Sequence, residues 1–258
     1  MNTALSSICP TNCGDPMTHL LEPSISEQVP PPAIEAVLEH VARYRLTVFA
    51  ALQRLPIFRD RHAAEIKRTL RECRRQSLLE TAPLHFAARY WHLTPNAASQ
   101  CKLAVKHAGP LSEAAKIRAF AVLSFCCLSN RLRHRLTDAD IAQNFPSVYR
   151  PGMPTGYYFE PGDNARLGLV RVDAGNRGRW DRIVESIRED IDHHFRHSGF
   201  RKLIGAGRFE ITVLTVFKQK SCRITESIER HLDARRVPVQ VVAIPELLPL
   251  IASVRERR

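Results

Sequence analysis

The sequence predicts an α+β chain in which a helical module ending in a hairpin is joined by linking helices to a C-terminal mixed α/β sheet domain. Three observations predict it. Apolar residues recur at i, i+3, i+7 spacing through Ala33–Cys73 and again from Ser112 to Asn130, as one buried helical face requires. The period changes between Leu78 and Leu93, where two short strand-like runs follow each other. From Val148 onward β-rich runs alternate with helical ones, the pattern of a sheet flanked by helices.

Residues 1–32 carry prolines at positions 10, 16, 23, 30, 31 and 32 among Ser, Thr and Asn, and are expected to form a disordered arm. Ala33–Tyr44 reads as a first helix with Ile34, Val37, Leu38 and Val41 on one face. Thr47 is expected to N-cap a second helix reaching Leu55, and Pro56-Ile57-Phe58 to supply the turn after it. Arg59–Leu93 is the stretch around which this module is organised. Asp60 is the expected N-cap of a third helix, which buries Ala63, Ile66, Leu70 and Cys73 and turns Lys67, Arg68, Arg71, Arg74 and Arg75 outward. That helix ends at Gln76–Ser77. Leu78–Thr81 and Ala88–Leu93 then read as two strands, connected by Pro83-Leu84-His85-Phe86. Two helices, a basic helix and an immediate hairpin are the layout of a winged helix-turn-helix, here residues 33–98. The alternative is a helical bundle whose arginines merely solvate a surface.

Thr94-Pro95-Asn96 leads out of the hairpin into residues 99–148, a helical linking or dimerisation region. Lys102–Gly109 is expected to be helical and to stop at Gly109-Pro110. Ser112 caps the long apolar helix to Asn130, whose surface must be covered by a second subunit or by the chain's own C-terminal domain. Thr137-Asp138-Ala139-Asp140 opens a small capped helix ahead of Pro146. In residues 149–258 the strands are Tyr157–Glu160, Leu167–Val172, Phe209–Phe217 and Val237–Ile244. The helices are Trp180–Phe195, Ile224–Leu232 and Pro245–Val254.

The chain of 258 residues is long enough for two ordinary domains, and its formal charge of +12 is the unusual quantity. None of the excess comes from the arm, which holds Asp15, Glu22 and Glu27 and no Lys or Arg. Such a balance favours polyanionic partners through counterion release. No apolar run reaches the roughly 18 residues of a spanning helix, and the N-terminus lacks the pattern of a secretory signal. The seven cysteines are scattered, with Cys73, Cys126 and Cys127 in apolar helical patterns. The expected setting is therefore a reducing cytoplasm, associated with the nucleoid. Cys9, Cys13 and His19 lack a fourth zinc ligand, and no metal or cofactor is expected.

The candidate DNA contacts are Arg59, Arg61, His62, Glu65, Lys67, Arg68 and Arg71 in the major groove, Arg74 and Arg75 on phosphates, and His85 and Arg89 on the wing. In the C-terminal domain the residue to test is Asp173, at the end of a strand, since carboxylates there hold Mg²⁺ in metal-dependent nucleases. This arrangement resembles the restriction-endonuclease-like fold, and more particularly the plasmid replication-relaxation family, whose members join an N-terminal winged helix to a nuclease-like domain. The resemblance spans about Ala33–Ser253 and rests on layout and hydrophobic pattern. It implies a duplex-DNA partner and a role on a mobile genetic element. It also implies a nuclease-like domain that is non-catalytic, because the motif is incomplete. Pro154-Thr155-Gly156 stands where the first hairpin would carry an acid, and Arg171 stands two residues before Asp173. Glu160, Asp163 and Glu210 lack the spacing to replace the missing carboxylate, so Asp173 is expected to pair with Arg171 or a nearby arginine, or to cap a turn.

His193, His194 and His197 lack the glutamate of a zinc-protease helix and are expected to form a surface cluster. Lys218, Lys220 and Arg223 gather at a helix start, to hold phosphate or to be solvated. Three functions fit. The first is a sequence-specific, dimeric DNA-binding regulator or a replication or transfer factor of a mobile element. The second is a Mg²⁺-dependent nuclease or nickase centred on Asp173. The third is an assembly protein whose basic surface meets an acidic protein.

Overall fold

The protein is described by a computed structural model that covers residues 32–86, 88–173, 180–231 and 237–256. The expected arm, Pro32 excepted, and Cys9, Cys13 and His19 lie outside the described residues. The chain is α+β, with a two-stranded hairpin and a five-stranded mixed sheet.

Helix α1 spans Ala33–Tyr44 and turns Val37, Leu38 and Val41 into the core. Arg45 ends it in the left-handed region (φ 68°), its N–H bonded to the Val41 carbonyl. Thr47 does not cap the next helix. Its backbone exchanges two 3.0 Å hydrogen bonds with Trp91, adding a third short chain to the hairpin, and Val48 takes the N-cap position of α2, Phe49–Leu52. The expected continuation to Leu55 fails because Pro56 opens a separate 3₁₀ turn, Pro56–Phe58. Helix α3, Ala63–Arg75, buries Ile66, Leu70 and Cys73, and its N-cap is His62 rather than Asp60, with no side-chain cap. At its end Ser77 is left-handed (φ 53°). Leu78 N–H reaches Cys73 O at 2.8 Å and Ser77 N–H reaches Arg74 O at 3.0 Å, the Schellman pattern that stops a helix sharply.

Strand β1 follows at once and is longer than expected, Leu79–His85, paired antiparallel with β2, Ala88–Leu93. The segment expected to connect the strands is therefore mostly strand. Pro83 is tolerated because its position is exposed in a two-stranded ribbon, where a missing N–H costs little. Thr94 caps α4, Pro95–Gln100, by accepting from Ala97 N–H. The helix expected over Lys102–Gly109 is absent. Lys102 turns left-handed (φ 55°) and only a 3₁₀ turn, Val105–His107, forms.

Helix α5, Glu113–Leu123, capped by Ser112, runs on as a π-turn over Ser124–Leu128. Strand β3 (His134–Arg135) pairs with β4 (Tyr157–Glu160), with α6, Asp138–Asn144, between them. Thr137 and Asp140 form the capping box of α6. β4 pairs antiparallel with β5, Arg166–Val172. The chain then crosses through α7, Trp180–Phe195, and α8, Ser198–Gly205, to β6, Phe209–Thr215, parallel to β5. Helix α9, Lys218–His231, leads to β7, Val239–Ala243, parallel to β6. A 3₁₀ turn and α10, Leu248–Glu256, close the chain. Sheet order is therefore β3-β4-β5-β6-β7.

Three apolar clusters hold this together. Val37, Phe58, Ile66, Leu70 and Leu79 centre the first, within α1–α4 and the hairpin. Leu167, Leu169, Ile211 and Val213 face α7, α8 and α9 in a second. The opposite sheet face, Tyr158, Val170 and Leu214, meets α5, α10 and the inner hairpin residues Ala82, Leu84 and Tyr90 in the third. Gly168 seats the Tyr158 ring, since a Cβ there would lie 2.1 Å from it. The third cluster corrects the dimer-seam expectation for the Ser112–Asn130 helix. Phe120 (6% exposed) and Phe125 (1%) are covered by the chain itself, and each such burial contributes about 1.5–3 kcal/mol.

Candidate nucleic-acid interface

Helix α3 carries its charges on one flank because its apolar residues take the other. At about 100° per residue, Lys67, Arg71 and Arg74 fall in line, with Arg68 and Arg75 beside them. All five are exposed, as are Arg59, Arg61 and His62 just ahead of the helix, whereas Glu65 is half-buried. Arg61 pairs with Glu65 at 3.1 Å. Arg75 makes two bonds to Glu72, one of 2.8 Å through Nε, and Gln76 donates a third at 2.6 Å. Arg75 and Gln76 hold the Glu72 carboxyl down at about 2. Among the described residues Arg59, Lys67, Arg68, Arg71 and Arg74 have no carboxylate partner. The helix thus offers a stripe of uncompensated cations, with Arg75 partly neutralised.

The hairpin leaves this helix after three residues, Gln76, Ser77 and Leu78. Its inner face is occupied by the third cluster and the base of its outer face, Leu79 and Leu93, by the first, so the outer face around Pro83 and Arg89 and the tip remain available. Arg89 lies exposed on the outer face, reaching across to the Thr81 carbonyl and hydroxyl at 3.2 Å each. His85 is half-buried beside the tip. Phe86 at the tip is 67% exposed. It lies within the His85–Arg89 span expected to make the wing contact, although a lone Phe in an expected turn carries no periodic signal of its own.

The C-terminal sheet places Asp173 just past β5. Its Oδ2 lies 2.5 Å from the Lys220 ammonium and accepts from the Thr215 hydroxyl at 3.3 Å, while its N–H bonds Leu214 O at 2.8 Å. The expected partner Arg171 turns instead to Asp190 on α7, with one bond of 2.6 Å through Nε and a second through Nη2. Arg171 and Asp173 are two residues apart at the end of β5 and just beyond it, yet α7 and α9 each supply a nearer counter-ion. Lys220 is thereby removed from the expected basic cluster with Lys218 and Arg223, both of which are exposed.

The acids that might have joined Asp173 are engaged elsewhere. Glu160 holds Arg133 at 2.6 Å, and Arg133 stacks over the Phe125 ring at 4.0 Å. Glu210 accepts from Tyr158, from Gln240 at 3.0 Å and from Arg166 at 3.2 Å. Asp163 is exposed in the β4–β5 turn. Among the described residues no three His, Cys, Asp or Glu side chains group as they would around a metal ion.

The histidine cluster is corrected in one member. His193 is exposed and His197 half-buried, but His194 is fully buried, between Phe200 and Phe209. Its Nε2 lies 2.5 Å from the Tyr157 hydroxyl and its Nδ1 2.5 Å from the Asp190 carbonyl. No described helix is long and apolar enough to cross a membrane. Comparison with protein-family models, with curated proteins and with solved structures gives no match for this chain.

Proposed function

We propose that residues 33–98 are a winged-helix module and that the protein binds duplex DNA, with α3 in the major groove and the outer face of the hairpin along the backbone. The observation that carries this is the uncompensated cationic stripe on α3, fixed immediately beside a two-stranded ribbon. An exposed stripe of arginines supplies phosphate neutralisation, and its N-terminal half is the part of such a helix that reaches base edges. On this reading Arg59, Arg61, His62, Lys67, Arg68 and Arg71 approach the groove with Glu65, which Arg61 holds, and Arg74 lies on phosphate. Arg75 does so once released from Glu72, and His85 and Arg89 serve the ribbon. In keeping with the resemblance to replication-relaxation proteins, the proposed role is that of a transcriptional regulator or a replication or transfer factor of a mobile genetic element, in the cytoplasm. A homodimer is part of the proposal, but its seam is not α5.

The test is duplex binding measured at several salt concentrations on a selected site and on random duplex. Arg68→Ala should cost about 1–3 kcal/mol on the selected site and less on random sequence. Arg74→Ala should weaken both alike and reduce the salt slope by about one. Unchanged affinity in both variants would remove the assignment.

The nuclease reading is the second proposal, and the Asp173–Lys220 pair weighs against it. A divalent ion at Asp173 would have to displace an ammonium already at contact distance, and among the described residues no three metal-ligating side chains group there. The assembly reading has no observation of its own to favour it over DNA.

A further inference from the structure

An open cleft of about 750 Å³ lies between the end of α1 and the β3–α6 segment, within the roughly 300–1,000 Å³ of small-molecule sites. Arg45, Lys102 and Lys106 line it from the N-terminal module, and Arg135 lines it from the sheet. Leu103, Leu136 and Ile141 supply apolar surface. The acids at its rim leave these cations unbalanced. Arg43 takes Asp140 at 2.5 Å and Glu39 at 3.1 Å, so Asp138 is the one lining acid left. Among the described residues none of Arg45, Lys102, Lys106 and Arg135 has an ion pair.

The arginines are not simply solvated. Arg45 donates through Nη2 to Lys106 O at 2.8 Å, while its Nε is buried without an acceptor. Arg135 is half-buried, and burial and the nearby Arg45 and Arg43 push its pKa down. His107 at the same wall is lowered by burial and then by Arg45, Lys106 and Arg135. Burial is the larger cause of both shifts, and the neighbouring cations add to it. Of the three non-glycine residues with positive φ among those described, two, Arg45 and Lys102, stand here, where an asparagine or glycine would be less strained.

We infer that this cleft binds a small organic phosphate of nucleotide size, its phosphate held by Arg45, Lys102, Lys106 and Arg135 and its body against Leu103, Leu136 and Ile141. Arginine forks suit phosphate oxygens, and four cations facing one carboxylate suit a dianion. The inference does not rest on DNA binding, because it uses none of the α3 side chains.

The experiment is thermal unfolding of the full chain with adenosine monophosphate, with adenosine, and with sodium chloride at matched ionic strength. The monophosphate should raise Tm, while adenosine and chloride should not. A titration should show affinity reduced about ten- to a hundredfold in Arg135→Gln, the loss of one charge-assisted contact. Lys106→Gln, at an exposed position that cannot endanger the fold, should reduce it about tenfold. No rise with the monophosphate, a rise matched by chloride or adenosine, or undiminished affinity in both variants would overturn the inference. So would weakened duplex binding in both variants with no response to the monophosphate, since DNA phosphate would then be the occupant.

Discussion

Lowering the pH from 7 to 5 should destabilise this protein through two buried neutral histidines, and His194 shows why. Both of its ring nitrogens are committed. Nδ1–H donates to the Asp190 carbonyl and Nε2 accepts from the Tyr157 hydroxyl. A second proton would need Tyr157 to turn its hydroxyl away and a cation to sit between Phe200 and Phe209. Burial accordingly lowers His194 from 6.5 to about 4, and burial, helped by Arg43, lowers His40 from 6.5 to about 4. In the unfolded chain each takes its proton near the ordinary value, whereas in the folded chain neither does. The unfolded state therefore binds more protons between pH 6.5 and about 4, and stability present above this window is lost as pH falls through it. At 1.36 kcal/mol per pH unit the full loss is about 3 kcal/mol for each histidine, of which about 2 kcal/mol falls between pH 7 and 5. Much of that interval precedes carboxylate titration in the unfolded chain. Urea unfolding at half-unit steps, with m held common, measures it. His194→Gln, which cannot titrate, should start from a lower stability at pH 7 and lose less between pH 7 and 5, the rest of the loss coming from His40 and from His107, His134 and His197, which burial also lowers. An unchanged midpoint over this range, or an equal loss in the variant, would refute the buried neutral state.

Phe120→Asp should unfold the chain rather than release soluble monomers, because a carboxylate would enter the cluster formed by α5, α10 and the inner hairpin. Circular dichroism and sedimentation of the variant decide this, and a folded monomer would restore α5 as a subunit seam. Asp173→Asn should leave duplex binding nearly intact. Supercoiled plasmid incubated with the wild-type protein and Mg²⁺ or Mn²⁺ should remain uncut, and nicking that vanishes in the variant would promote the nuclease reading.

What the sequence made legible was set by short-range physics. Helix α1 at Ala33–Tyr44 and strand β4 at Tyr157–Glu160 fall where their periodicity put them, and Ser112 and Thr137 cap as expected, since these signals lie within one turn. The exposed stripe on α3 was legible for the same reason, because its buried face dictates where the arginines go. The failures share a different cause. Thr47 carries a residue type that often caps helices, yet pairing with Trp91 on a later strand outweighed that local preference. Strand β3 is two residues whose strand partner β4 comes only after α6 in the chain. Helix α8, not anticipated, begins where Gly199 passes the Ser147 backbone so closely that a Cβ would lie 2.1 Å from its carbonyl oxygen. The partners of Arg171, Asp173 and the cleft cations come from distant segments, and no local spacing encodes them.

The third apolar cluster bears on how the hairpin could meet DNA. In a module joined by a loose linker, the ribbon would have to be ordered on binding, at about 1–2 kcal/mol per backbone residue. Here Ala82, Leu84 and Tyr90 are already packed against α5 and α10, and the Tyr90 hydroxyl accepts from Leu111 N–H at 2.8 Å. The outer face with Arg89, and the tip with Phe86, therefore stand at a fixed distance and angle from the α3 stripe before any ligand arrives. Such preorganisation trades adaptability for affinity. A duplex that fits α3 is met by the ribbon without further ordering cost, and one that must bend to reach it is disfavoured by its own stiffness. If the proposed DNA binding holds, selectivity should then come partly from deformable steps under the hairpin, positions where no side chain need touch a base.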